Sequence, residues 1–234
     1  MDKQLVETLR QQNPFISLND IVYSILLQEI VNFHIPPGTA INENAIAKKL
    51  EISRSPIKFA LLRLKKEGYV KKDNKYRVAG FSNKEYQDVK ELCFLLESYA
   101  AGRAALNVTD QQLEELQKIA QQMHDICHHA DKEDPATLHR QIIKLEYAFH
   151  MKLVSLADSP LLLDLYDQIK YKLFRYRSYI IYNPPQEYYK IIETDHLLIC
   201  HILKLHDREL AESMLRRHLN FFNNHFINLF HLEK

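Results

Sequence analysis

Four side chains in the second half of the sequence have the types and spacing of a metal site. Glu146 and His150, in the stretch EYAFH, are four residues apart and so stack on one helical face. His150 continues an apolar stripe with Ile143, Leu153 and Val154. His196 does the same with Ile192, Ile199 and Leu203, and His218 with Ala211, Leu215 and Phe222. Three imidazoles and a carboxylate on apolar faces, converging inside a helical bundle, would hold one divalent ion. Zinc or nickel would come ahead of magnesium, because imidazole is a borderline ligand and magnesium prefers oxygen. The other reading is four unconnected polar residues, each satisfied by a local hydrogen bond, which is the commoner state of a single buried histidine. Only His34 of the 12 histidines precedes residue 81, so a His-rich second half also produces such stripes by chance.

The first half offers a different chemistry. The stretch ISRSPIKFALLRLKKEGYVKKDNKYRV, residues 52–78, carries a helix-period stripe of Ile57, Ala60, Leu61 and Leu64. With that stripe turned inward, Arg54, Ser55 and Lys58 face outward near the helix N-terminus, where Ser53 is the expected cap and Pro56 lies in the first turn. Arg54 and Lys58 could reach guanine edges or phosphates in a major groove, and Ser55 either; the helix dipole adds attraction for phosphate. Lys71, Lys72, Lys75 and Arg77 place further charge on a following hairpin, suited to phosphate or minor-groove contact. Asn44 and Asn74 complete the candidate DNA-contact set with Ser53. A solvated Lys-rich helix and an ordinary hairpin would have the same composition. The ordered set of helix, turn, capped helix and basic hairpin favours DNA.

Several elements must position these residues. Ser17-Leu18-Asn19-Asp20 reads as a capping box that opens a helix with Ile21, Val22, Ile25, Leu26 and Ile30 on one stripe, ended by Pro36-Pro37-Gly38. Asn42 caps a short helix with Ile46, Ala47 and Leu50 inward, Glu51-Ile52 makes a tight turn, and Gly68 stops the third helix. Tyr69–Lys72 and Lys75–Val78 form a hairpin about a two-residue Asp73-Asn74 turn. From Asn83 onward the period is helical, with six helices expected at 83–106, 109–129, 134–157, 159–182, 185–205 and 207–231. A Thr109-x-x-Gln112 capping box, Ser159-Pro160 and Asp207 start three of them. The expected fold is mainly α: a winged helix-turn-helix over residues 1–80, then an all-α six-helix bundle over residues 81–234.

Composition agrees with two parts. The 234 residues are 46% hydrophobic and 26% charged, with only 4 Gly and no Trp, a globular and helix-favouring mix. The net charge of +1 hides a split: residues 1–80 hold 13 Lys/Arg against 8 Asp/Glu, whereas residues 81–234 hold 18 against 22. A basic front and an acidic, His-rich back imply two different partners. Three widely spaced cysteines imply no disulfide framework and a reducing, cytoplasmic setting. The N-terminus lacks an apolar signal core and no apolar run approaches ~20 residues, so no membrane span is expected. No Gly-rich phosphate loop appears, and no Ser or Cys is set up as a nucleophile.

With those residues in view, IPPGTAINENAIAKKLEISRSPIKFALLRLKKEGYVKK resembles the DNA-binding domain of the GntR family of bacterial transcription regulators. The carriers are the Pro-Pro-Gly turn, Glu43, Ile46-Ala47 with Leu50, Ser53 to Lys58, Ala60-Leu61 and Glu67-Gly68. Asn44 stands where the family usually has Arg, and Lys58-Phe59 where it has Arg-Glu; Lys58 keeps the charge without the guanidinium fork. The second half resembles the FCD ligand-binding domain, nearest its six-helix, VanR-like branch. That resemblance implies a metal on Glu146-x-x-x-His150, His196 and His218, with Glu146 replacing the usual Asp, and a small carboxylate effector bound against the ion. Cys93 stands where many members have an effector-binding Arg, and Asp158-Ser159-Pro160 replaces Gly-Asn-Pro. Arg175 and Arg177 in KLFRYRSY either supply that positive charge or lie on a solvated helix face.

The leading expectation is a ligand-responsive, non-enzymatic transcription regulator that binds a palindromic double-stranded operator as a homodimer. Its affinity would be controlled by a small-molecule effector near a divalent metal. A metalloenzyme using the three-His/carboxylate site is the competing class, and nothing beside that site reads as a general base. A winged helix used for protein contacts would leave the basic RSPIK face unexplained.

Overall fold

The computed structural model describes residues 1–184 and 187–232, with side chains through Phe221. The chain divides into two compact units, Met1–Ser82 and Asn83–Lys234.

The first unit contains Lys3–Gln12 (α1), Leu18–Val31 (α2), Glu43–Leu50 (α3) and Arg54–Lys66 (α4), then strands Val70–Lys72 (β1) and Tyr76–Val78 (β2). Helix α1 is additional to the sequence expectation; Asp2 caps it, Oδ1 accepting from the Leu5 amide at 3.0 Å. At α2 the Ser17 Oγ accepts from the Asp20 amide at 3.1 Å, and the Ser17 hydroxyl donates to the Asp20 carboxylate at 2.6 Å. Helices α2 and α4 pack together through Ile21, Val22 and Leu26 against Ile57, Ala60, Leu61 and Leu64, all without solvent exposure. Above that core Arg63 lies over the Tyr23 ring at 3.7 Å and pairs with Glu67 at 3.0 Å. The α3–α4 turn is closed by Glu51 at φ +54°, with the Ile52 amide donating to Ala47 at 3.1 Å. Gly68, at φ +85°, ends α4 in a conformation that other residues adopt only at a cost.

The hairpin differs from the expectation. Val70 pairs with Val78 and Lys72 with Tyr76, so Asp73, Asn74 and Lys75 form a three-residue connection rather than a two-residue turn. Directly opposed residues share a face, and this register puts Val70, Tyr76 and Val78 all inside. A two-residue turn would have set buried Val70 opposite exposed Arg77. Residues 38–41 pack alongside β2, the Ile41 amide donating to Tyr76 at 2.8 Å.

The second unit consists of Asn83–Asn107 (α5), Asp110–His128 (α6), Pro135–Ser155 (α7), Pro160–Tyr182 (α8), Tyr188–Leu203 (α9) and Arg208–Leu232 (α10). Its caps are local and legible. Thr109 and Gln112 complete a reciprocal capping box on α6, Ser159 accepts from Leu162, and Asp207 accepts from Leu210 at 2.9 Å. Asp134 with Pro135 at the first helical position opens α7. Small residues Ala100, Ala101, Ala104 and Ala105, each fully buried, line α5, which packs on α10; α6 packs on α9. No helix among the described residues is long and apolar enough to cross a membrane.

Because Ile57 is fully buried and Lys58 beside it is exposed, the two positions should behave differently. Ile57→Ala is expected to lower unfolding stability by ~2–5 kcal/mol, and Lys58→Ala by less than about 0.5 kcal/mol. Urea denaturation measures both; equal midpoints would contradict the assigned face of α4.

Candidate nucleic-acid face and metal centre

Ser53, Arg54, Ser55 and Lys58 all lie on the exposed side of the α4 N-terminus. Ser53 occupies the N-cap with extended backbone but makes no side-chain cap bond. The third helical position, whose amide such a hydroxyl usually takes, is Pro56, which has no N–H. The exposed Ser53 hydroxyl makes no bond to the helix it caps. Arg54 Nη2 sits 3.7 Å from Glu43 Oε2 at the start of α3. Arg54, Asn44 and Lys75 line one concavity with Asn42 and Glu43, so α4, α3 and the hairpin connection meet there. Lys72 and Asn74 are exposed on the wing, Lys72 Nζ lying 4.8 Å from the Tyr76 ring. Arg77, also exposed, donates to the Gly38 carbonyl at 3.2 Å, so it braces the wing as well as charging it.

In the second unit Glu146 and His150 of α7, His196 of α9 and His218 of α10 come together in the interior, none more than 3% exposed. One nitrogen from each imidazole lies within 4.8 Å of the others. Glu146 reaches between two rings, its Oε2 at 3.4 Å from His150 Nε2 and its Oε1 at 3.3 Å from His196 Nε2. Each ring has an oxygen behind its Nδ1. His150 Nδ1 lies 2.8 Å from Glu97 Oε2, an ion-pair contact without hydrogen-bond geometry, whereas His196 hydrogen-bonds the Ile192 carbonyl at 3.4 Å and His218 hydrogen-bonds Asp195 Oδ2 at 3.3 Å. The acceptors behind Nδ1 of His196 and His218 favour the tautomer that turns an Nε2 lone pair toward the centre, as ligating histidines require. Phe222, expected on the His218 stripe, lies outside the described side chains.

The electrostatics of the cluster are unbalanced in one place. Burial pushes His196 down to about 3, and it pushes His218 down as well. At His150, burial and Arg177 work against the charged form, but Glu97 and Glu146 outweigh them and raise it. Burial also opposes ionisation of Glu146, yet His196, His150 and His218 hold it well below the usual carboxylate range. Glu97 is held to about 2, against burial, by Arg177 and His150, and Asp195 has Arg217 at 3.0 Å. Among the described residues, Glu146 makes no ion pair with an arginine, although Arg177 is close enough to feel its charge. Glu146 Oε1, His150 Nε2 and His196 Nε2 make no hydrogen bond. Buried polar atoms left in that state are costly. This donor set, one carboxylate and three imidazoles, fits a divalent transition ion.

Sequence reasoning passed over Glu97 and Tyr166. Glu97 is fully buried on α5 and accepts from Tyr166 Oη at 2.8 Å and from Arg177 Nη2 at 2.9 Å on both oxygens. An acid on the same stripe as Cys93, Ala100 and Ala104 was the available signal. Arg175 and Arg177 do not lie on a solvated face: they are 3% and 6% exposed. Arg177 also lines a small cavity with Cys93, Tyr86 and Tyr176, and its Nη1 makes no hydrogen bond. The cavity's 20 Å³ holds about one water.

The FCD domain family matches residues 88–221, more than half of the chain, and the family of bacterial regulatory proteins named gntR matches residues 18–76. The chain is 27% identical over 220 residues to the HTH-type transcriptional repressor RspR of Escherichia coli, covering 92% of this chain and 90% of the relative. It is 32% identical over 139 residues to the Nta operon transcriptional regulator of Aminobacter aminovorans, covering 57% and 60% of the two chains. Among solved structures, Escherichia coli McbR/YncC superposes with a TM-score of 0.76 at 22% identity, over 92% of this chain and all of that one. These relatives are named as regulators, not enzymes, which sets the metalloenzyme reading aside. With a winged helix-turn-helix ahead of an FCD domain, the chain belongs to the GntR family of bacterial transcriptional regulators.

Proposed function

We propose that this regulator binds a palindromic double-stranded operator as a homodimer, in the cytoplasm, and that a divalent ion and a small carboxylate effector in the FCD domain set its affinity. On the DNA side, Arg54, Ser55 and Lys58 read the major groove, and Ser53 with the free first-turn amides of α4 takes a phosphate. Asn44 adds a contact from α3, and Lys72, Asn74, Lys75 and Arg77 hold the backbone from the wing. A dimer supplies the second half-site that one short recognition helix cannot read.

On the regulatory side, Glu146, His150, His196 and His218 hold the ion, zinc or nickel by ligand type. The observation that carries this reading is the trio of buried donor atoms on Glu146, His150 and His196 that face one another without hydrogen bonds. When bound, the ion supplies the positive charge that Glu146 lacks and a Lewis-acid position for the effector's carboxylate. His150 passes the state of that centre to Glu97, and Glu97 to Arg177 on α8, through contacts of 2.8 and 2.9 Å. Arg177 has one nitrogen left to donate, so it is the better candidate of the two arginines for effector recognition; Arg175 is the second. The one-water cavity beside Arg177 must widen to admit a carboxylate, which moves α5 against α8. That movement is the device by which ligand state would reach the DNA-binding domains.

Three outcomes test this account. Arg54→Ala should weaken binding to a selected operator by ~1–3 kcal/mol and relax base preference, whereas Lys75→Ala should weaken all sequences alike and reduce the salt slope by about 1. Binding by fluorescence anisotropy over a salt series reads both, and parent-like affinity of Arg54→Ala would remove the groove assignment. After zinc loading and desalting, elemental analysis should find about one equivalent more per chain in the parent than in His218→Ala. A parent that retains no more than His218→Ala would end the metal reading and leave the DNA reading intact.

A further inference from the structure

Away from the buried centre, His124, His128 and Glu193 form a second grouping in which one ligand atom from each residue lies within 4.8 Å of the others. His124 and His128 are four residues apart on α6, with rings stacked at 5.9 Å and 13° between planes. Glu193, from α9, faces both. His124 Nδ1 lies 2.9 Å from the Glu193 carbonyl oxygen. A carbonyl only accepts, so this nitrogen donates, and the atom of the ring left to ligate a metal is Nε2. His128 Nδ1 lies 2.8 Å from Glu193 Oε1, with the His128 side chain 62% exposed.

We propose that His124, His128 and Glu193 are a second divalent transition-metal site, open to solvent, that takes zinc, nickel or copper with water completing the coordination. Two imidazoles at i, i+4 on a formed helix are already aligned on one face, so chelation orders no backbone. The carboxylate adds a negative charge and crosses from a second helix. Tetrahedral zinc with bonds of about 2.0–2.2 Å needs ligand atoms about 3.3 Å apart, an adjustment within the reach of an exposed side chain's rotation. Two nitrogens and one oxygen suit borderline ions and disfavour magnesium and calcium. Glu193 precedes His196 by one helical turn, so an ion here ties α6 to the helix that carries a residue of the buried cluster. The site does not depend on the buried one, because the two share no residue.

Zinc chloride titrated calorimetrically into metal-stripped full-length protein tests the proposal. The parent should take up one more equivalent per chain than His128→Ala, or bind it about ten-fold more tightly. Glu193→Gln, which keeps the side chain's shape, should weaken the same event to a similar degree. His218→Ala should leave it unchanged, which separates this site from the buried one. Far-UV circular dichroism of His128→Ala should match the parent, since the residue is exposed. Identical zinc stoichiometry and affinity in the parent, His128→Ala and Glu193→Gln would reduce the grouping to a surface hydrogen bond and overturn the proposal.

Discussion

A carboxylate in the interior of a helical bundle is the constraint around which the second domain is arranged. Removing an ion from water costs several kcal/mol even after relaxation, and only close, well-oriented partners offset it. Three acids face that cost here. Glu97 is answered by Arg177 and Tyr166, and Asp195 by Arg217. The ion-pair contacts of Glu146 among the described residues are to imidazoles, and burial drives His196 and His218 toward the neutral form. A divalent ion among them would complete the electrostatics. The alternative, a proton on His150 shared between Glu97 and Glu146, balances charge but leaves Glu146 Oε1 and His196 Nε2 without hydrogen bonds.

This cluster draws on five helices. Glu97 comes from α5, Glu146 and His150 from α7, Tyr166 and Arg177 from α8, Asp195 and His196 from α9, and His218 from α10. Helix packing alone would tolerate small slides along apolar faces, whereas fixed hydrogen-bond lengths do not. The DNA-binding domain is built on the opposite plan. Its interior is aliphatic, from Ile21 and Leu26 to Ile57 and Leu64, and its charge is turned outward. Pro56 helps by removing the amide that would otherwise occupy the Ser53 hydroxyl. Rigidity there comes from packing, and in the FCD domain from packing plus electrostatics.

The sequence made much of this legible, for reasons that differ by element. The i, i+4 spacing of Glu146 and His150 survives folding unchanged, because both lie within one helix. Thr109, Ser159 and Asp207 cap as read, since capping involves only residues a turn apart. Long-range partners were hidden. Glu97 finds Arg177 across 80 positions, and nothing local marks the pair. The arginines of KLFRYRSY were ambiguous because residues 173–181 are buried all round, so no polar face gives a period. The wing's connection is one residue longer than the local turn signal implies, because register follows the burial of Tyr76 and Val78, which only the folded sheet decides.

An ion that completes the Glu146 cluster should show in calorimetric unfolding of protein held in excess zinc, compared with the same protein in chelator. An ion bound only by the folded state at a thousand-fold excess over its dissociation constant stabilises by about 4 kcal/mol, which for a chain of this size raises the melting temperature by roughly 10 °C. Chelation is expected to lower the FCD transition by about that amount, added zinc to restore it, and His150→Ala to remove most of the difference. Superimposable unfolding curves with and without chelator would contradict the metal reading.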